Sequence, residues 1–202
     1  MNGGYDSGYL ACPCFWGRSP GSLVRLLEEY VADFHGLRVL DIGCGEGKNA
    51  AFLSQRGARV RAIDISEAAI KNGKTAFGIG IGIEWTQADI RDMELPREYD
   101  IVIAYGLLHC LPSEADIANT TRKLQNATLP RGYNMLCALN ARRQDMSAHP
   151  DLNPTLLAHQ TFLGFYGGWD ILHGSDTNLT ETHPHNYIEH THSLTRILAR
   201  KS

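Results

Sequence analysis

Residues 38–49 read Arg-Val-Leu-Asp-Ile-Gly-Cys-Gly-Glu-Gly-Lys-Asn, a β-rich run that ends in glycines at 43, 45 and 47 before a helix-forming stretch. Glycine enters left-handed backbone conformations without a Cβ penalty, so this spacing lets the chain turn tightly and bring its backbone close to a ligand. A strand that feeds a helix in this way meets its next parallel neighbour only after a crossover. The rest of the chain repeats the unit. A helix over 49–56, ended by Gly57, is followed by a strand over 59–63 and a helix opened by Ser66-Glu67. A strand over 83–87 comes behind the Gly78-Ile79-Gly80-Ile81-Gly82 stretch, and the apolar run 99–104 suits the centre of a sheet. Ser113 and Asp116 begin a helix to about Thr128 in the manner of a capping box, Pro130 and Gly132 stop it, and 134–139 is the next strand.

Upstream, Ser22 is placed to cap an amphipathic helix whose apolar residues Leu23, Leu26, Leu27, Tyr30, Val31 and Phe34 recur at three- and four-residue steps. Downstream, 169–173 and 188–199 read as two strands joined by a polar, histidine-rich loop without a helix, so they pair antiparallel or lie apart. The expected architecture is α/β: a doubly wound, mostly parallel seven-stranded sheet with helices on both faces and an antiparallel C-terminal edge. Ligands bind such sheets at the carboxyl ends of the strands.

A chain of 202 residues, 43% hydrophobic and 20% charged, has the size and apolar content of a single domain over 1–202. A net charge of -3 offers no basic face for a polyanion, which argues against nucleic acid. Met1-Asn2-Gly3-Gly4 lacks the basic and apolar pattern of a signal peptide, and no apolar run is long enough to span a bilayer. Five scattered cysteines do not make a disulfide framework. The expectation is a cytoplasmic, membrane-free protein.

The glycine spacing disfavours a dinucleotide fingerprint, whose third glycine would fall at 48, where this chain has Lys. Asp64 closes the second strand, where a carboxylate can accept both ribose hydroxyls of a nucleoside. Asp89 follows the third strand, placed to accept from an adenine amino group while Ile90 packs on the ring. Cys44 is a small residue in a tight turn rather than a nucleophile.

Through these residues the chain resembles the class I S-adenosylmethionine-dependent methyltransferases, whose first motif is acidic-x-Gly-x-Gly-x-Gly with acidic residues after the second and third strands. The lead-in Phe15-Trp16-Gly17-Arg18-Ser19-Pro20 is similar to that of the tellurite-resistance-type small-molecule methyltransferases. So are Gly45-x-Gly47-Lys48-Asn49, Arg131-Gly132-Tyr133-Asn134, Tyr166-x-x-Gly168-Trp169 and the ending Ala199-Arg200-Lys201. Pro130-Arg131-Gly132 stands where that family carries Pro-Gly-Gly, and its tail-loop His-Arg pair has no counterpart here. The resemblance implies a Rossmann-like fold and S-adenosylmethionine as cofactor, with S-adenosylhomocysteine as product. It places Trp16, Asp41, Gly43, Cys44, Gly45, Asp64, Ile65, Asp89, Ile90 and Tyr105 around the cofactor.

Methyl transfer from a sulfonium is an in-line displacement, and a neutral acceptor benefits from a nearby base. Tyr105 and His109, after the fourth strand, are the candidate catalytic residues; a satisfied structural histidine is the plain alternative for His109. Tyr5, Tyr9, Phe15 and Trp16 make the leader, 1–21, too aromatic for a solvated tail and suit a lid over the active site. Residues 140–202 form the substrate side, where most of the histidines fall. His190 and His192 share one strand face, and His183-Pro184-His185 precedes them. The substrate contacts expected are Tyr5, Tyr9, Trp16, His109, His183, His190 and His192. No metal is expected, because a metal would need a further ligand that spacing cannot reveal, and Cys12-Pro13-Cys14 lacks a second cysteine pair. The acceptor is a small molecule with an O, N, S or metalloid-oxyanion nucleophile. A nicotinamide-dependent oxidoreductase and a non-catalytic S-adenosylmethionine-binding protein are the alternatives.

Overall fold

A computed structural model describes residues 5–78, 82–183 and 186–202. The Met1–Gly4 start, positions 79–81 of the glycine-rich stretch, and Pro184-His185 lie outside the described residues. In chain order the elements are α1 (Asp6–Ala11), α2 (Ser22–Leu26), β1 (Arg38–Ile42), α3 (Lys48–Ser54), β2 (Arg59–Asp64), α4 (Glu67–Phe77) and β3 (Ile83–Gln87). They continue with β4 (Tyr99–Tyr105), α5 (Glu114–Ala127), β5 (Thr128–Gln144), α6 (His159–Gly164), β6 (Asp170–Glu181) and β7 (His190–Arg200).

The strands form one seven-stranded sheet in the order β3-β2-β1-β4-β5-β7-β6. The β3-β2, β2-β1, β1-β4 and β4-β5 pairs are parallel; β5-β7 and β7-β6 are antiparallel. The doubly wound sheet with its antiparallel C-terminal edge is therefore present. Strand order reverses at β1, which lies between β2 and β4, and a doubly wound sheet opens its ligand crevice at such a point.

Because successive side chains of a strand point to opposite faces, two cores form. One packs Val39, Ile101, Ile103 and Met135 against Leu23, Ala50, Leu53 and Ile70 of α2, α3 and α4 and against Leu27 just after α2. The other packs Leu40, Val102, Leu136 and Ile197 against Ile117 and Leu124 of α5 and Phe162 of α6. Among the described residues, no helix is long and apolar enough to cross a membrane. All five cysteines are free.

Local differences from the expected elements have local causes. Ser22 is the first residue of α2 rather than its cap. Gly21 holds the cap position, donates its N–H to Asn49 Oδ1 at 2.9 Å, and abuts Tyr105 so closely that a Cβ would stand 2.5 Å from the ring. The regular helix stops at Leu26 and tightens into a 3₁₀ turn over Leu27–Glu29. Ser66 and Ser113 cap α4 and α5 as expected, accepting from Ala69 N and Asp116 N at 3.1 Å each. β5 is longer than expected at both ends. Its early part bulges at Arg131 (φ 64°) and is held by the C-terminus: Arg131 N–H donates to Lys201 and Lys201 N–H to Gly132. In the tail, β6 reaches Glu181, well past the expected end at 173.

Candidate active site

Gly43, Gly45 and Gly47 have φ of 64°, 55° and 79°, the left-handed region for which the sequence spacing argued. They carry the chain from β1 into α3 at the carboxyl edge of the sheet. Two adjoining cavities lie there and share Tyr5, Tyr9, Gly43 and Gly106.

The first cavity runs over the ends of β2 and β3 and is lined by Ile63, Asp64, Ile65, Ala88, Asp89, Ile90 and Leu107. Asp64 accepts from the N–H groups of Gly45 at 2.8 Å and Ser66 at 2.9 Å, which fixes its carboxylate at the cavity wall. Burial raises its pKa, and those two N–H groups pull it back. Asp89 is held by Arg91, whose Nε reaches both carboxylate oxygens at 3.0 Å, and this pairing keeps its pKa low. Asp64 keeps lone pairs beyond these bonds, because an ionised carboxylate has about four acceptor sites, whereas Asp89 also accepts from the Arg91 N–H at 2.9 Å and from Arg91 Nη2. At Gly106, φ is 90°, and a Cβ built there would meet no atom within 4 Å, so the backbone itself forms open floor.

The second cavity lies toward β5, β6 and β7. The residues expected there that line it are Tyr5, Tyr9, Trp16, Gly43, Cys44, Gly45, Tyr105, His109 and His192. Sequence reasoning did not single out Lys48, Glu46, His149, Glu181 and Arg196, which also line it. The available signal was the alternation His192, Leu194, Arg196, which puts every second residue of β7 on one face. Lys48 donates to the Trp16 carbonyl at 2.9 Å, and burial lowers its pKa. Burial raises the pKa of Glu181.

Three of the expected site residues line neither cavity. Asp41 is 1% exposed beneath the glycine turn. Neither of its oxygens makes a well-formed hydrogen bond among the described residues; burial, then the Asp64 charge, push its pKa up to about 7 against a weak pull from the Ala50 N–H. His183 and His190 are buried behind the wall, against His149.

His109 is enclosed, and its ring is fully employed. Nδ1 accepts the backbone N–H of Leu139 at 3.3 Å, so the proton of the neutral ring sits on Nε2, 3.2 Å from the Tyr5 hydroxyl. Burial, then His192, push its pKa down to about 3. The structure thus gives His109 the satisfied arrangement weighed against the base. Burial, with Cys137 adding to it, pushes Tyr105 up to about 12.

The leader lines both cavities. Asp6 bonds the Ser66 hydroxyl, Tyr9 O accepts from Asn72 Nδ2 at 2.7 Å, and Cys14 N–H donates to Glu46 Oε1 at 2.8 Å. Trp16 Nε1 donates to the Tyr9 hydroxyl at 3.3 Å. Tyr9 and Phe15 are buried with Ala69 in a small cluster of their own, apart from the two sheet cores.

Residues 39–132 match the family model described as a methyltransferase domain. A ubiquinone biosynthesis O-methyltransferase from Leptothrix cholodnii is 31% identical over 118 residues, 56% of this chain and 49% of that protein. One from Pseudomonas aeruginosa is 30% identical over 112 residues, 54% of this chain and 47% of its own. The chain spans about half the length of these curated relatives. Among solved structures, TehB from Haemophilus influenzae superposes with a TM-score of 0.74 at 21% identity, covering 90% of this chain and 62% of that one. Magnesium protoporphyrin IX methyltransferase from Synechocystis, with S-adenosylmethionine bound, gives 0.65 at 20% identity, covering 98% and 80%.

Proposed function

Because this chain carries a class I S-adenosylmethionine-dependent methyltransferase domain, we propose that it moves a methyl group to a small-molecule O, N, S or metalloid-oxyanion nucleophile. One observation carries the reading: a cavity at the strand switch point and a second toward β7 meet at Gly43 and Gly106, beneath the same two tyrosines. In this reading the first holds the nucleoside, with Asp64 on the ribose hydroxyls and Asp89 and Ile90 at the adenine. Gly43, Cys44, Gly45 and Trp16 surround the amino-acid end, and the second cavity takes the acceptor. When bound, the cofactor supplies an electrophilic methyl carbon on a sulfonium.

The chain's own part is to align and to exclude water. Such positioning supplies roughly 7–11 kcal/mol of a barrier. The leader, through Tyr5, Tyr9 and Trp16, closes the site as a lid. His109, with its proton on Nε2, holds the Tyr5 hydroxyl at the junction of the two cavities and is a positioning residue rather than a base. Tyr105, with its pKa near 12, stays protonated at neutral pH and can donate to an anionic acceptor. An acceptor that arrives ionised fits this set best.

The oxygen acceptors of the curated relatives and the metalloid oxyanions of the tellurite-resistance-type resemblance both head the screen. Phenols, catechols, amines, thiols, selenite and tellurite would each be incubated with the full chain and release of S-adenosylhomocysteine measured. Turnover with one class and not the others identifies the acceptor. Tight S-adenosylhomocysteine binding with no turnover on any class would make the chain a binding protein, and no binding would overturn the cofactor placement.

A further inference from the structure

A metal site among the tail histidines needs convergent ligands from outside β7, and the fold brings them. His149, in the turn after β5, and His183, after β6, meet His190 and His192 behind the second cavity. His149 Nε2 lies 3.2 Å from His190 Nε2 and 3.0 Å from His183 Nε2. The ligand atoms of His149, His190 and His192 fall within 4.8 Å of one another, as do those of Glu181, His183 and His190. Glu181 Oε1 stands 3.9 Å from His183 Nε2 and 4.0 Å from His190 Nε2. All four imidazoles are buried.

As neutral rings, these imidazoles have few protons to share around the His149 Nε2. His190 Nδ1 faces the Ile188 carbonyl at 2.8 Å, so it carries the proton and leaves Nε2 a bare lone pair. His149 Nε2 then donates to His190, and that one proton is all it can offer His183 as well. If it accepts from His183 instead, two lone pairs face each other across 3.2 Å. Neither arrangement gives both contacts a full hydrogen bond of their own. A cation among the three nitrogens satisfies all of them. Tetrahedral zinc with Zn–N of about 2.0–2.1 Å sets its ligand nitrogens about 3.3 Å apart, close to the spacing here.

The outer contacts have the form that metal-bound histidines use. His190 donates from Nδ1 to a backbone carbonyl. His192 Nδ1 lies 2.7 Å from Gln144 Oε1, and Gln144 is oriented by Nε2 donating to Asn140 O at 2.7 Å and Ser193 O at 2.9 Å. Both bonds leave Nε2 free to ligate.

We propose that this chain binds a divalent transition-metal ion of the zinc class through His149, His183 and His190, with His192 or Glu181 completing the protein ligands. His149, His192 and Glu181 also line the acceptor cavity, so the ion faces it. On the methyl-transfer reading, an acceptor hydroxyl or thiol that joined the ion as a fifth ligand would release its proton to solvent more readily, which would supply the ionised nucleophile that His109 and Tyr105 do not.

The test uses the untagged full chain, stripped with chelator and titrated with Zn²⁺ or Co²⁺, without cofactor or acceptor. About one ion per chain, visible d–d bands with Co²⁺ and a raised melting temperature with Zn²⁺ are expected. His149→Gln should weaken Co²⁺ binding by at least tenfold and change the spectrum. Gln144→Leu, which removes an orienting acceptor and no ligand, should weaken it by roughly 10–100-fold if His192 ligates. Unchanged affinity in Gln144→Leu together with a spectrum altered in Glu181→Gln would assign the fourth place to Glu181. Retained S-adenosylhomocysteine binding marks each variant as folded. A folded wild-type chain that takes up no stoichiometric ion, or a folded His149→Gln protein with the wild-type Co²⁺ spectrum, overturns the site whatever the outcome of the acceptor screen.

Discussion

Trp85 of β3 packs so closely on Gly73 of α4 that a Cβ at Gly73 would stand 2.7 Å from the indole ring and 2.7 Å from the Glu46 carbonyl. Glycine to alanine inside a helix ordinarily gains about 0.5–1 kcal/mol. Here the new methyl meets backbone on one side and a ring on the other, and overpacking costs about 1–3 kcal/mol. Gly73→Ala is therefore expected to destabilise the chain. Urea denaturation that shows a stabilised variant would contradict this packing.

Asp64 holds the glycine turn and faces the first cavity through the same carboxylate. Asp64→Ala removes a charged acceptor from a ribose diol, a pairing worth roughly 1.5–3 kcal/mol, so S-adenosylhomocysteine should bind about 10–150-fold more weakly. Isothermal calorimetry with unchanged affinity would remove Asp64 from the cofactor site.

For His109 the tautomer sets the expectation. A general base is worth roughly 10²–10⁴-fold in rate, and its loss would erase an acid limb near the ordinary imidazole pKa of about 6.5. A ring with its proton on Nε2 and its pKa near 3 contributes no such limb. His109→Ala should lower turnover through loss of Tyr5 placement, while His109→Gln, whose amide can still donate to Tyr5, should recover much of it. Both should keep the wild-type pH profile. A limb near neutral pH that vanishes in His109→Ala would restore the base.

Asp41 couples the fold to pH. Its folded pKa of about 7 lies above the ordinary 3.8, so the folded chain holds a proton that the unfolded chain has lost. Stability contributed by that proton falls as pH rises from about 4 to 7 and is level above, on the order of 2–4 kcal/mol across the window. Asp41→Asn should flatten this dependence in denaturant titrations at about pH 4.5 and pH 7.5. An unchanged slope would mean that Asp41 is ionised in the fold.

The leader offers a test of separability. Tyr9 and Phe15 bury themselves against Ala69 rather than in either sheet core. A chain lacking residues 1–16 should remain folded by circular dichroism, melt a few degrees lower, and lose turnover and cofactor affinity together. Outright unfolding would make the leader part of the core.

The sheet was legible because its signals are local: glycines that need positive φ, caps at Ser66 and Ser113, and apolar runs of strand length. Gly21 was not, since its role comes from Tyr105 across the sheet edge, and Ser22 beside it looks like a better cap on propensity alone. Around the first cavity, Asp64, Asp89 and Ile90 follow strand ends, so counting along the sequence reaches these lining residues. Asp41 follows the same count but turns beneath the loop, because strand alternation sends it to the covered face. Lys48, Glu181, Arg196 and His149 escaped because four separate elements bring them together.

One wall of the second cavity is a sheet: Cys137 and Leu139 of β5, Leu194 and Arg196 of β7 and Leu179 of β6 pave it on a single face. Its texture is thus written in alternate letters and locked by ladder hydrogen bonds. A one-residue insertion in β7 would not widen the chamber but invert it, turning Arg196 away and presenting Thr195 and Ile197 instead. The chamber can change its preference one side chain at a time, as type is reset within a fixed line.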